Sequence, residues 1–376
     1  MSLFSHNQDA YLGIDIGAHG MKCVELHKTK GRPQLWTYGI ASEPLDIHPP
    51  VPVEKTPEQL MKETKSDVLG EGQQTGVAVP QPDDPRVKKY AAMLKNLIEQ
   101  SKVTTRQATA SLPISEVFHT MLTLPVVEKK DVEGIIQAEI QKFLHRPVDE
   151  MQIMHQMVPT ENKNHMRVLV TAATKSIISF YTAIFQKAGL ELRELETEAF
   201  ALERSLVGRD TSNVFIVDIG SERTNFFVIS ESLPIIHRSI NIGGDRLTAH
   251  LQEILGVDAI IVDELKRDMS RLGSSDITSD IMERIINPIT KEVKYSLDVF
   301  LRQNGESKRP EKIVLTGGSS VIPYIAKRLT DEFQIKAFVG DPWARVVHQQ
   351  GLKPVLDAIG PRMAVSIGLA LRNIVE

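Results

Sequence analysis

The chain has 376 residues and a formal net charge of −4, which fits two or three domains and gives no overall positive field for binding nucleic acid. Hydrophobic residues make up 41 % and charged residues 24 %, the balance of an ordinary globular chain with sizeable cores. The single cysteine, Cys23, excludes an internal disulfide. No apolar run approaches the ~18–20 residues that span a bilayer, and MSLFSHNQDA lacks the basic and apolar parts of a leader, so the expected location is the cytoplasm with no direct membrane insertion.

In chain order, residues 11–26 (YLGIDIGAHGMKCVEL) open with a strand-like apolar run carrying Asp15 near its end. The run breaks into Gly17, Ala18, His19 and Gly20, and an alternating strand then takes over, with Cys23 turned into the core. After KGRP comes another strand-like run, QLWTYGIAS. Residues 41–86 hold EPLDIHPPVPVEKTP and VAVPQPDDP; their proline and polar content predicts a surface excursion or lid.

Residues 106–190 read as a compact α/β subdomain inserted into the first half. QATASLP, VFHTMLTLP and HMRVLVTAAT are strand-like, while KKDVEGIIQAEIQKFLH and IISFYTAIFQKAGL have helical periodicity. Met151, Met154 and Met157 fall at helical spacing and are expected to pack or to line a groove.

Residues 213–229 (NVFIVDIGSERTNFFVI) repeat the opening pattern: apolar strand, Asp-Ile-Gly, polar turn, strand. IIHRSINIG then takes the place of QLWTYGIAS. The match predicts one fold used twice, with two domains facing each other. The expected division is 1–105 for the first half, 106–190 for the insertion, and 191–212 for a connecting helix returning to the first half. Residues 213–244 and 309–376 would form the second half, and 245–308 its helical subdomain. Residues 312–333 add a strand, the turn Gly317-Gly318-Ser319, and a helix with apolar residues at Ile322, Ile325, Ala326 and Leu329.

These turns suit polyphosphate chemistry. Small residues let backbone amides approach phosphate oxygens, and a helix entry presents free N–H groups. A carboxylate beside such a turn can share Mg²⁺ with phosphate, because Mg²⁺ sites usually take one or two carboxylates and keep water or phosphate for the rest. Asp15 and Asp218 are therefore the expected metal carboxylates of two opposed turns. Lys22 could reach a phosphate from the second strand. No GxxxxGK[ST] loop is present.

The order of motifs resembles the actin-like ATPase superfamily. GIDIGAHGMK resembles its first phosphate loop, VDIGSERTN its second and VLTGGSSVIP its adenosine motif. ETEAFALERSL and AVSIGLALR resemble its two connecting helices. Within the superfamily, the insertion with TLPVVEKKDVEGIIQAEIQKFLHRPVDEM, the SINIGGDRLTAHL segment and the IGLALR ending resemble the PilM family of type IV pilus assembly proteins.

The resemblance implies an α/β fold of two duplicated, ribonuclease H-like domains around a nucleotide cleft. It also implies ATP with Mg²⁺ held by Gly17, Ala18, His19, Gly20 and Lys22, by Gly220, Ser221, Glu222, Arg223 and Thr224, and by Gly317, Gly318 and Ser319. Asp263 and Lys266 of VDELKRD match positions that contact ribose and base. The implied partner is the N-terminal cytoplasmic tail of a PilN-like inner-membrane protein, docked in a groove, alongside other pilus assembly proteins. The tip Ser221-Glu222-Arg223 and the residues Ala18 and His19 depart from the superfamily pattern, so slow or no hydrolysis is expected.

The alternative within the superfamily is an FtsA-like ATPase acting in cell division or as a filament-forming tether. Such proteins carry a terminal amphipathic membrane helix, and ALRNIVE follows the second connecting helix directly. A sugar or acid kinase would need a general base for an acceptor hydroxyl, and no motif marks a second small-molecule site.

Overall fold

The computed structural model describes residues 10–46, 84–144, 146–158, 160, 164–258, 261–262, 265, 282–321 and 323–375. Most of the predicted 41–86 excursion, together with Asp263 and Lys266, lies outside them.

Two five-stranded sheets share one topology. The first contains β1 (Ala10–Gly17), β2 (Gly20–Thr29), β3 (Arg32–Ala41), β4 (Gln107–Leu112) and β8 (Glu191–Thr197), in the order β3-β2-β1-β4-β8. The second contains β9 (Val214–Ile219), β10 (Thr224–Ser230), β11 (Leu233–Ile240), β12 (Lys312–Thr316) and β13 (Lys336–Val339), in the order β11-β10-β9-β12-β13. In each, three antiparallel strands are followed by two parallel ones. Parallel pairing demands crossovers that cover the sheet faces, so the central strands are apolar almost throughout; Val214 to Val217 are all buried. Cys23 is fully buried in β2, where desolvation raises its thiol to about 11.

A third sheet, β5 (Val117–Pro125), β7 (His165–Thr174) and β6 (Met151–Val158), falls between β4 and β8 in the chain and carries α2 (Lys129–Gln141) through a small core of Leu122, Ile136, Ile140 and Val168. Residues 151–157 thus form a strand, and the three-residue methionine spacing has no helical meaning: Met151 is buried while Met154 is 65 % exposed.

The segment expected to be wholly helical from 191 also starts as a strand. β8 pairs with β4, but the register slips between Ala108 and Thr109, whose partners are Leu192 and Glu194. The extra residue, Arg193, is a bulge, so Leu192 and Leu195 imitate helical i, i+3 spacing inside a strand. A short helix, α4 (Glu198–Leu202), and a π-helical turn over Glu203–Val207 follow.

α1 (Pro85–Gln100) and α3 (Lys175–Lys187) pack together beside the first sheet; Asp84 caps α1 by accepting from Arg86 N at 2.8 Å. α5 (Gly244–Leu255), α6 (Asn287–Asn304) and α7 (Pro323–Phe333) serve the second half. The last helix, α8 (Lys353–Val375), is longer than the motif AVSIGLALR and packs on β1 and β2. Contrary to the reading of apolar runs, Gln350–Ile374 is long and apolar enough by composition to cross a membrane. Of its apolar window, 67 % is buried inside the fold, the position of a core helix.

Candidate functional site

Asp15 and Lys22 face each other across the β1–β2 ladder, and the ammonium meets the carboxylate at 2.7 Å. Ser111 Oγ lies 3.4 Å from the other carboxylate oxygen. Asp15 is only 5 % exposed, so Lys22 supplies the counter-charge that burial requires. A side chain at Gly17 would sit 3.4 Å from Lys22 Nζ, so the bare turn leaves the ammonium uncovered on that side.

Asp218 occupies the matching place in β9, but its ladder partner is Asn225. The Asn225 amide lies 3.4 Å from Asp218 and 3.5 Å from Glu198, and so bridges two carboxylates. Burial and then the nearby Asp15 charge push Asp218 up to about 6. Burial, with Asp15 and Asp218, also pushes Glu198 well above the usual carboxylate range. Both acids keep some solvent access. Asp15, Asp218 and Glu198 outnumber the Lys22 ammonium, and a divalent ion would supply the positive charge they lack. Among the described residues no three acidic, histidine or cysteine groups converge closely enough to hold a metal unaided.

The second loop is braced from behind. Gly220 N donates to Arg223 O at 2.9 Å; Gly244 N donates to Gly220 O and Asp245 N to Ser221 O, both at 2.9 Å. A side chain at Gly243 would lie 2.2 Å from Ser221 O, so glycine is needed for this contact. Thr224 is fully buried and its hydroxyl donates to Ile242 O at 2.6 Å, which gives it a bracing role. Glu222 is exposed.

The first loop is pinned by Leu45 N donating to Ala18 O at 2.7 Å, and His19 Nε2 lies 2.8 Å from Asp245 Oδ2 at the start of α5. The third turn lies against the second: Ser319 N donates to Ile219 O at 3.1 Å, and a side chain at Gly317, where φ is 88°, would lie 2.5 Å from Asp218 Oδ1. Gly318 faces the aliphatic part of Arg362. Asp15, Gly17, His19, Lys22, Asp218, Gly220, Ser221, Gly317 and Ser319 are thus brought to one region. Glu198, Asp245 and Arg362 join them without having been singled out from sequence. The available signal for Glu198 was a carboxylate at another strand end, immediately after β8.

A separate cavity lies away from these turns. A groove of about 1270 Å³ runs between the β6–β7 face, the edge of β8 and the ends of the two connecting helices. Six consecutive residues, Leu192 to Thr197, line it. Side chains alternate along a strand, so such a run shows that the groove follows the strand edge; among the described residues β8 has β4 as its one strand neighbour. Met154, Leu169 and Phe200 give the groove apolar wall. At its floor Glu196 pairs with Arg204 and, at 2.6 Å, with Arg372. Arg345 donates to Arg204 O at 2.7 Å and to Val207 O, closing the π-helical turn.

Residues 76–374 match the family model described as type IV pilus assembly protein PilM. Among solved structures, a PilM-PilN type IV pilus biogenesis complex is similar over 97 % of this chain and 98 % of that one, with 24 % identity and a TM-score of 0.73. The ethanolamine utilization protein EutJ from Carboxydothermus hydrogenoformans is similar over 96 % of this chain and 89 % of that one, with 13 % identity and a TM-score of 0.51. These likenesses establish the shared fold.

Proposed function

The chain belongs to the PilM family of type IV pilus assembly proteins, and from that premise we propose that it is a nucleotide-binding scaffold with two separate sites. Mg-ATP would sit between the two Asp-Ile-Gly turns. The extended N-terminal tail of a PilN-like inner-membrane protein would lie along the β8 edge, which places the protein at the cytoplasmic face of that membrane. The observation that carries the reading is the pairing of two matched turns, one with Asp15 against Lys22 and the other with Asp218 and Glu198 about one Asn225 amide.

Each residue then has a physical task. Asp15 and Asp218 would hold Mg²⁺ directly or through water, and the metal would screen their repulsion while polarising phosphate oxygens. Lys22 would share its charge between Asp15 and a phosphate. The first turn would offer backbone amides, while the start of α5 braces the second from behind. On the groove side, an unpaired strand edge can take main-chain hydrogen bonds from an extended peptide, and the apolar wall can accept alternate side chains. Solution of the partner complex named above is consistent with this class of partner.

The test is a titration of Mg-ATP into wild type and the Asp15→Ala/Asp218→Ala double variant, with circular dichroism to confirm that both are folded. The double variant is expected to lose measurable affinity. Equal affinity in the two proteins would remove the clamp.

A further inference from the structure

The clamp and the groove are built from the same two pieces of chain. In the first, Glu198 shares the Asn225 amide with Asp218. Two residues earlier Glu196 lines the groove, and so do Glu203 and Arg204 in the π-helical turn that follows α4. In the second, Pro361 O accepts from Gly317 N at 2.9 Å and from Thr316 Oγ1 at 3.1 Å, while Arg362 lies against Gly318. At the other end of the same helix, Arg372 and Ile374 line the groove.

The two pieces cross where a side chain at Gly368 would stand 1.8 Å from Ala201 O. Backbone touches backbone there, so one piece cannot slide without displacing the other. Buried polar contacts tie the crossing on its groove side. Arg204 donates from Nε to Gly368 O at 3.0 Å and pairs with Glu196, whose second oxygen accepts from Arg372 at 2.6 Å. Glu196 and Arg204 are 8 % and 7 % exposed, so neither can relax into water if the crossing shifts.

We infer that nucleotide in the cleft and peptide in the groove are thermodynamically coupled through the Glu196–Arg204–Arg372 bridge, each tightening the other. This rests on the two-site reading above. A divalent ion with phosphate draws Glu198 and the Gly317 turn into fixed positions. Both are continuous with groove-lining residues, so ordering them at one site lowers the ordering cost at the other. By linkage the effect has the same size in both directions.

The experiment measures fluorescence anisotropy of a labelled synthetic peptide copying the N-terminal cytoplasmic tail of a PilN-like protein, with and without saturating Mg²⁺ and a non-hydrolysable ATP analogue. The full chain is used, and nucleotide binding is measured separately by calorimetry. The analogue is expected to tighten the peptide at least about fivefold. In Glu196→Gln that ratio falls towards one, whatever the variant's own affinity for the peptide. Hydrogen exchange on wild type gives a second readout that needs no variant: the analogue alone protects amides over 192–204 and 364–374. If both ligands bind and the peptide affinity changes less than twofold or weakens, the coupling is wrong and the two-site reading stands. If nucleotide or peptide fails to bind, the reading and the coupling fall together.

Discussion

In the first jaw of the cleft Asp15 meets Lys22 across a β-ladder at 2.7 Å; in the second, the ladder position opposite Asp218 is Asn225, at 3.4 Å. Strand order and carboxylate position are repeated, whereas the counter-charge is not. The first carboxylate is neutralised from within the fold. The second stands beside an amide that also touches Glu198, and its proton is held up to about 6. Duplication therefore gave one jaw that is electrostatically complete and one whose ionised state gains most from an added cation.

The largest effect should come from stripping the first jaw. Lys22→Asn removes the ammonium that pairs with buried Asp15, and is expected to cost about 3 kcal/mol at neutral pH, read as a lowered Tm. Mg²⁺ with ATP should recover part of the loss; an unchanged Tm would mean that Lys22 is dispensable to the pair. Next is Asp218→Asn. It removes a charge that burial and Asp15 disfavour, so the apo protein should melt no lower than wild type, while Mg-ATP affinity falls about 30-fold. Calorimetry that finds affinity intact would assign the metal to the first jaw alone.

A smaller change makes the jaws alike. Asn225→Lys sets an ammonium opposite Asp218, and should raise apo stability at pH 7 by about 1 kcal/mol while reducing the dependence of ATP binding on Mg²⁺. Denaturant midpoints with and without Mg²⁺ check both halves of that statement.

A further effect is a pH slope. Asp218 holds its proton up to about 6, above its ordinary 3.8. Between those values the unfolded chain has released a proton that the fold keeps, so Asp218 makes stability fall as pH rises from about 4 to 6. Subtracting the Asp218→Asn stability profile from that of wild type should isolate this slope. A difference of the opposite sign would show that Asp218 is stabilised as an anion.

Much of this comparison was legible in the chain. The two Asp-Ile-Gly turns share their context, and apolar runs on both sides mark them as strand ends rather than surface loops. What the sequence hid has physical causes. The bulge at Arg193 gave β8 a helical rhythm, and regular methionine spacing masked β6, a strand whose exposure does not alternate. Lys22 and Asn225 hold the same place after their aspartates in the sequence, but only register shows that each faces its aspartate across a ladder. Glu198 sits in a connecting segment rich in glutamate, where position in the fold alone separates it from Glu194 and Glu196, which serve the groove.

The most direct measurement is a titration of purified protein with ATP in Mg²⁺ and again in EDTA, followed by chromatography of the bound nucleotide after an hour. The account predicts one ATP per chain, dependent on Mg²⁺ and recovered largely intact. No binding, or binding indifferent to Mg²⁺, would contradict it.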